Sequence, residues 1–532
     1  MAADPFAGAL AKLRLTRAEL DGAKPTDYDR TTMHAFTPLE GRYARYTDQL
    51  RGITSEFQAV KRRLGLEIEY LIALGDEFQN YRGSTPRLIE RPFSDKERQA
   101  LSGVYKGFSE KDYAMFKMLE GRTDHDVVAI VLLGQYKLGD VVRPDVLERA
   151  MHFGRTSSDM DSNVCSLMMH DILGMYYLPR MLGLQRMFIG KAGEWHKVPE
   201  GYRRPFTVIA AHTHEQPAVP TPLKKVVANI AHQVNQGISP LLRTGPDGKD
   251  ARFRLYGKMG GAVGNDEAMI AAYPGHDWRA FYKRFIEGLG LEYQAATDQD
   301  ESNMRLLELF GIIRLANLPL LKWSDDYSSY LSRGVLKKRT REGEAGSSIM
   351  PQKVNPWRTE GGESAIYVAD AELGAFELLA RQRKQGDLRR SYMKRYMGVP
   401  MANTVVAIGR MQEDLERTVP NHEGIEIELE RHPAIASASV QTMLRAHGVP
   451  GAYRRMCELT RGRHVTPEIM DSALDEMVRD GSITGKTAEG IKQVFRPENN
   501  VGDALEQADT QLAEALDTLK RLEKAYEIQC AA

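Results

Sequence analysis

The sequence predicts an all-α protein built around a bundle of long helices, and three observations carry that expectation. Val164, Leu167, Met168, Ile172, Met175, Leu178 and Leu182 advance mostly in steps of three or four, the spacing that lines one face of an α-helix. Leu223, Val226, Ile230, Val234, Ile238 and Leu241 repeat the pattern, with Thr221 and Pro222 placed as N-cap and first-turn residue. No comparable run alternates with the two-residue period of a strand. The methionines Met168, Met169 and Met175 read most simply as core. At 532 residues the chain exceeds one hydrophobic core, so roughly two to four domains are expected.

Composition excludes several classes of function. Lys+Arg and Asp+Glu both number 72, so no bulk charge points to nucleic acid or an anionic membrane, and an anionic ligand must be met by local basic clusters. Cys165, Cys457 and Cys530 are too few and too scattered for a disulfide framework or a zinc site, which fits a reducing cytoplasm. No segment approaches the roughly 18 apolar residues of a membrane span, and no basic region followed by a long apolar one opens the chain. A soluble, unexported protein is expected.

Residues 1–36 read as an N-terminal extension, with a short helical pattern from Ala9 to Leu20 and a polar stretch containing Gly22, Pro25 and Asp29. It is expected to pack loosely or against a neighbouring subunit. A helical domain follows over residues 37–147, opening with TPLEGRYARY, a turn that carries Arg42 beside Tyr43. Within it, GRTDHDVVA sets His125 between Asp124 and Asp126, and a carboxylate beside an imidazole can orient it and raise its pKa. The same grouping occurs by chance on polar loops, and a solvated surface arginine is the plain reading of Arg42.

A central helical-bundle domain is expected over residues 148–415. It starts with HFGRTSSDMDSN, where Thr156, Ser157 and Ser158 offer hydroxyls at a helix N-terminus. Free backbone N–H groups there favour a carboxylate or phosphate, and ordinary N-capping is compatible with that role. In VIAAHTHEQPAVP, His212 and His214 are two apart, so on an extended segment they share a side; two histidines without a third ligand are weak evidence for a metal. Gly260, Gly261 and Gly264 follow no strand and form no phosphate-loop fingerprint, which excludes a nucleoside-triphosphate site of that kind. Helices are expected over residues 301–333, 358–384 and 398–419.

The stretch that organises the chain is GEAGSSIMPQKVNP, residues 343–356. Glycines precede Ser347 and Ser348, and Lys353 lies between Pro351 and Pro356, so the loop offers a nucleophile or base, a cation and the amide of Asn355. A flexible linker would carry more Gly and Ser and no Met-Pro or Asn-Pro punctuation. Glu360 follows near a helix start, where a carboxylate also simply complements the dipole. RQRKQGDLRRSYMKRYMGVP then concentrates positive charge, and Ser391 and Arg395 lie on one helical face, suited to a phosphate. A solvated basic face is the alternative. Residues 416–532 form a smaller helical C-terminal domain whose last stretch, from Val501 to Ile528, is amphipathic.

These motifs, in this order over residues 37–515, resemble the adenylosuccinate lyases of the fumarase/aspartase superfamily. The loop matches GSSxMPxKxNP, TPLEGRY resembles SPxDGRY, TDHDV resembles TNHDV, HTHEQPAVP resembles RTHGQPATP, and GAVGN followed by AAYP and DW favours this family over fumarases and argininosuccinate lyases. The resemblance implies a three-domain, tetrameric, all-α fold with each active site built from three subunits. It implies β-elimination of fumarate from adenylosuccinate, giving AMP, and from the succinyl-carboxamide intermediate of purine synthesis, with no metal or organic cofactor. By position, Ser347 is the base, with Ser348 as runner-up. His214 is the acid, with Glu360 in support, and Lys353 and Asn355 hold a carboxylate. Arg42, Tyr43, Asp124, His125, Asp126, Thr156, Ser157, Gln299, Ser391 and Arg395 contact the substrate. Asp124, His212 and Glu215 depart from the family pattern. So does Gly386, which stands where the QRD motif has Arg and removes a guanidinium unless Arg383, Arg389 or Arg390 reaches in. Another fumarate-releasing lyase, argininosuccinate-type or otherwise, and an inactive lyase-like binding protein are the rival readings.

Overall fold

Long helices dominate the computed structural model, which describes residues 35–344 and 346–528. The expected helix at Ala9 to Leu20, the rest of the N-terminal extension up to residue 34, and Cys530 lie outside the described residues. Six helices come first: α1 (Ala44–Thr54), α2 (Glu56–Glu77), α3 (Asp95–Lys106), α4 (Glu110–Thr123), α5 (Asp126–Leu138) and α6 (Pro144–Ala150). Their starts are written in the sequence. Ser94 and Ser109 each begin a helix whose third residue, Glu97 or Asp112, bonds back to the serine, so free N–H groups find acceptors at both ends of the exchange.

The central segment runs through α7 (Ser157–Asp171) and a π-helical turn, Ile172–Tyr177, into α8 (Leu178–His196). A hairpin of β1 (Val208–Thr213) and β2 (Gln216–Pro222) leads to α9 (Leu223–Ile238). Short strands β3 (Leu242–Thr244) and β4 (Asp250–Arg252) pair antiparallel, and β5 (Tyr256–Gly257) pairs in parallel with β6 (Glu292–Tyr293), across α10 (Glu267–Ala272) and α11 (Trp278–Gly288). Then come α12 (Met304–Ser332), β7 (Leu336–Lys338), α13 (Trp357–Ala375), α14 (Arg389–Tyr396), α15 (Gly398–Arg417) and β8 (Thr418–Pro420), the last paired with β7. The C-terminal helices are α16 (His422–Arg431), α17 (Ser437–Ala446), α18 (Ala452–Thr460), α19 (Pro467–Arg479), α20 (Gly485–Val494) and α21 (Ala504–Ala525).

Helices α8, α9, α12, α13 and α15 pack in a closed cycle, each against the next, and α21 lies along α9. Phe188, Trp195, Trp323 and Tyr327 fill its interior, with Phe188 and Trp323 edge to face at 5.4 Å between ring centres. The α9–α12 crossing is close because Gly237 has no side chain: a Cβ there would lie 2.6 Å from the Cα of Ala316. One large core runs from Leu50 to Leu522, and a smaller one gathers residues from Ala436 to Phe495. The last helix therefore returns to the main core.

Four expectations change. Strands exist, paired in twos and two to seven residues long, too short for most to write an alternating pattern; one of them, β5, precedes the glycines at 260–264. The helix after the hairpin starts at Leu223, with Pro222 as its cap and Thr221 still in β2. Met175 is exposed rather than core, because the π-helical turn inserts about one extra residue per turn and rotates the apolar face away from it. The helix expected over residues 358–384 ends at Ala375 and tightens into a 3₁₀ turn, Phe376–Ala380.

Candidate active site

The candidate site residues fall into three places in the chain, except Gln299, which packs against Gly386 and Arg390. The first is a cavity of about 630 Å³ bounded by α2, the α4–α5 junction, α7 and α14. Asp124, His125, Asp126, Ser157, Ser391 and Arg395 all line it. Asp124 ends α4 in a left-handed conformation (φ 50°), which turns the chain so that His125 can cap α5. His125 Nδ1 accepts from the Val128 N–H at 3.5 Å, so the helix start orients this ring more directly than Asp126, whose nearest oxygen is 3.7 Å away. Thr156 caps α7, its N–H bonded to Asp159 at 3.0 Å, and Ser157 opens the helix toward the cavity. Ser158 turns inward instead, 3.3 Å from Asp300.

The cavity walls carry five cations, Arg63, Lys117, Arg390, Lys394 and Arg395, against four carboxylates, Glu120, Asp124, Asp126 and Asp161, and every one of the cations is in an ion pair. Arg395 donates to Asp126 at 2.5 Å, and Arg63, an α2 residue that periodicity alone did not mark, donates to Asp161 at 2.6 Å. Burial disfavours the Asp126 carboxylate, but Arg63 and Arg395 more than offset it and hold its pKa below the ordinary range. Lys394, buried beneath Ser391, is raised the same way, because Asp300 and Glu301 outweigh its desolvation. Asp300 is held low by Lys394, Ser162 and Arg390 against burial, while burial leaves its neighbour Glu301 raised. Cys165 also lines the cavity, its thiol pushed up to about 11 by burial, which keeps it protonated.

Behind Thr156 the structure builds a buried ion-pair network. Asp159, fully buried, pairs with the equally buried Lys258 at 2.8 Å and accepts from the N–H groups of Gly260 and Gly261 at 2.9 and 3.1 Å. The glycine-rich segment thus anchors its backbone to α7. His152 Nδ1 lies 2.6 Å from Glu67. Burial lowers the pKa of His152, but Glu67 and Asp159 outweigh it, and the net shift is above 6.5. Stability from this pair is therefore complete below pH 6.5 and is lost as pH rises through the higher folded value. The stability gap between wild type and His152→Gln is expected to narrow as pH rises above 6.5, read from unfolding midpoints. A gap independent of pH would rule out the pairing as a contributor.

The second place is the loop before α13. Ser347 Oγ accepts from the N–H groups of Ile349 and Met350 at 3.4 and 3.1 Å, and Asn355 Nδ2 donates to the Gly346 carbonyl at 3.1 Å. Gly343 adopts φ 78°, whereas Gly346 is required by space, since a Cβ there would meet the Lys353 carbonyl. Buried Lys338 reaches the Asn355 carbonyl at 3.2 Å and Asp414 at 2.6 Å. Lys353 and Glu360 are exposed. Tyr43 joins this group: Arg410 sits 5.4 Å from its ring and donates to the Trp357 and Arg358 carbonyls at the start of α13. Arg42, next to it, is exposed.

The third place is the hairpin tip. His214 and Glu215 are the two turn residues, both left-handed (φ 54° and 57°), and a register shift lies between Ala211 and His212. The two histidines therefore do not share a strand face, because His214 has already left the strand. Arg333 fixes the hairpin base by donating to the Ala210 carbonyl at 2.8 Å and pairing with Glu428, which lies 3.5 Å from His212. Burial and the nearby Arg333 keep His212 below its usual pKa. None of Ser347, Lys353, Asn355, His214, Glu360, Arg42, Tyr43, Thr156 and Gln299 lines the 630 Å³ cavity. Among the described residues no group of three or more His, Cys, Asp or Glu is placed to hold a metal.

Comparison with known proteins gives this mostly helical chain its class, that of a lyase. Residues 41–367 match the lyase family profile, and the chain belongs to that family. Residues 382–486 match the adenylosuccinate lyase C-terminal profile. Adenylosuccinate lyase from Haemophilus influenzae is 29% identical over 84% of this chain and 93% of its own length. The adenylosuccinate lyases of Vibrio cholerae (29%) and Escherichia coli (28%) each align over 90% of this chain and 99% of theirs. Among solved structures, the 3-carboxy-cis,cis-muconate lactonizing enzyme of Pseudomonas putida superposes with a TM-score of 0.67 at 17% identity, covering 89% of this chain and 98% of that one. A fumarate lyase from Mesorhizobium gives 0.66 at 13%, covering 88% and 98%.

Proposed function

We propose that this chain is an adenylosuccinate lyase, a carbon–nitrogen lyase that releases fumarate from adenylosuccinate to give AMP, and from the succinyl-carboxamide intermediate of purine synthesis. The observation that carries this reading is the cavity in which Ser391 and Arg395 meet the His125 and Ser157 helix starts, so that a hydroxyl, a guanidinium and helix N-termini converge where a nucleotide phosphate can bind. Relatives named adenylosuccinate lyase, aligned along nearly their whole length, support the substrate.

In the reaction, Ser347 removes the proton on the carbon next to a carboxylate. The electron pair forms the fumarate double bond, the C–N bond breaks, and His214 protonates the departing nitrogen. A serine is a weak base unless its alkoxide is stabilised, and the Ile349 and Met350 N–H groups aimed at its Oγ supply that, which favours Ser347 over Ser348. Lys353 and Asn355 hold the carboxylate whose charge grows as the proton leaves. Glu360 supports His214, and Arg42, Tyr43, Thr156 and Gln299 complete the substrate contacts.

A complete site needs the cavity, the loop and the hairpin tip together, so we place it between copies in a homotetramer. Leu315, Leu318, Tyr367 and Val368, exposed apolar residues on α12 and α13, supply a face for that assembly. No helix among the described residues is long and apolar enough to cross a membrane; the cytoplasmic location we propose rests on the few, scattered cysteines. Purified protein mixed with adenylosuccinate is expected to release fumarate and AMP in equal amounts, followed by chromatography. No release from folded tetramer would overturn this reading, and argininosuccinate would be tested next.

A further inference from the structure

We propose that Arg390, which lines the cavity, is a positioning residue that fixes the carboxamide of Gln299 behind it, in a space that exists only because residue 386 is glycine. This inference rests on the adenylosuccinate reading above. Arg390 Nη2 donates to Gln299 Oε1 at 2.9 Å, Nη1 donates to the Asp387 carbonyl at 2.8 Å, and Nε lies 3.5 Å from Asp300. Three anchors hold the guanidinium, which is 12% exposed and lines the same cavity as Ser391 and Arg395. A guanidinium is a donor only, so it takes the oxygen end of Gln299 and leaves the NH₂ end as the donor for an anionic substrate group. Without Arg390 the amide is free to flip, and its oxygen would then face that anion.

Gly386 makes this arrangement possible. The Gln299 N–H donates to the Gln385 carbonyl at 2.9 Å, which brings the two segments into contact. A Cβ at 386 would lie 2.5 Å from Gln299 Oε1 and 2.8 Å from Gln299 Cβ. An arginine cannot occupy 386 while Gln299 keeps its place. The neighbouring arginines do not substitute: Arg389 folds onto Asp387 and the Arg381 carbonyl, and neither it nor Arg383 lines the cavity. The guanidinium therefore enters from position 390, at the start of α14, and acts through Gln299.

The test is a double-mutant cycle on the full-length protein with adenylosuccinate as substrate. Arg390→Ala is expected to raise KM on the order of tenfold or more, the loss of a charge-assisted hydrogen bond, with kcat changed far less. Gln299→Ala should do the same, and the double variant should be no worse than Gln299→Ala alone, because the two residues act as one unit. Guanidinium chloride below denaturing levels should restore part of the Arg390→Ala loss, which a purely structural defect would not allow. Arg390→Lys should not restore KM, since an ammonium lacks the planar fork. Gly386→Ala should raise KM with Arg390 intact; with Arg390→Lys it keeps a cation in the site and carries the test if Arg390→Ala does not fold. Additive effects of Gln299→Ala and Arg390→Ala, or an unchanged KM in Arg390→Ala, would overturn the inference while wild-type turnover leaves the substrate reading standing. Absence of turnover by wild type would remove both.

Discussion

Replacing Ser347 by Ala is expected to lower turnover by on the order of 10²–10⁴-fold, the range for loss of a positioned base, while leaving the oligomer and its unfolding midpoint unchanged. The loop keeps its shape without the hydroxyl. Asn355 still bonds to the Gly346 carbonyl, Lys338 still reaches the Asn355 carbonyl, and Arg417 still pairs with Glu344. What disappears is the oxygen on which the Ile349 and Met350 N–H groups converge. Ser348→Ala should retain most activity, since among the described residues no such pair of N–H donors meets its hydroxyl. Single-turnover fumarate release measures both variants. Full activity in Ser347→Ala with loss in Ser348→Ala would reverse the assignment.

Asp159→Ala is expected to cost about 3–5 kcal/mol of stability, as when one partner of a buried ion pair is removed. It strands the ammonium of Lys258, which is fully buried, and leaves three backbone N–H groups, those of Thr156, Gly260 and Gly261, without their acceptor. Lys258→Met should cost less. Asp159 then keeps those three donors, with Arg155 at 3.6 Å to share its charge, and Met fills much of the lysine's volume. Unfolding midpoints in urea at one fixed protein concentration would show the order, since assembly also contributes to stability. A larger loss in Lys258→Met than in Asp159→Ala would mean that the carboxylate, rather than the ammonium, is the group dependent on its partner.

Both predictions concern residues that the sequence exposed to different degrees. Ser347 stands in a loop whose glycines and prolines break a helical pattern, so its chemistry could be read directly. Asp159 reads as an ordinary helix-start carboxylate, and only the fold shows that it fastens the 258–261 backbone to α7. Arg63 and Lys394 were hidden for related reasons. Arg63 sits in AVKRRLGLEIEYL beside another arginine, and Lys394 sits in a run of basic residues where any one of them could face solvent. A charged residue on an otherwise apolar helical face was the available signal for Arg63. At the hairpin, the histidine spacing suggested a common face, but two left-handed turn residues end the strand before His214.

The sequence by itself determined the helical architecture and which chemical groups are candidates for the site. Apolar spacing is a local property, and the 3.6-residue period survives whatever a helix packs against. Motif order and residue type likewise needed no coordinates. Only the tertiary structure decided which of those groups meet: the TDHDV turn, the TSSD helix start and the Ser391–Arg395 face share one cavity, while the Ser347 loop and His214 lie elsewhere in the same chain. It also turned Gly386 from a missing arginine into the space that Gln299 fills, with Arg390 holding it. The reason is physical. Contacts between residues far apart in sequence are set by how helices pack at close density, and neither periodicity nor composition carries that information.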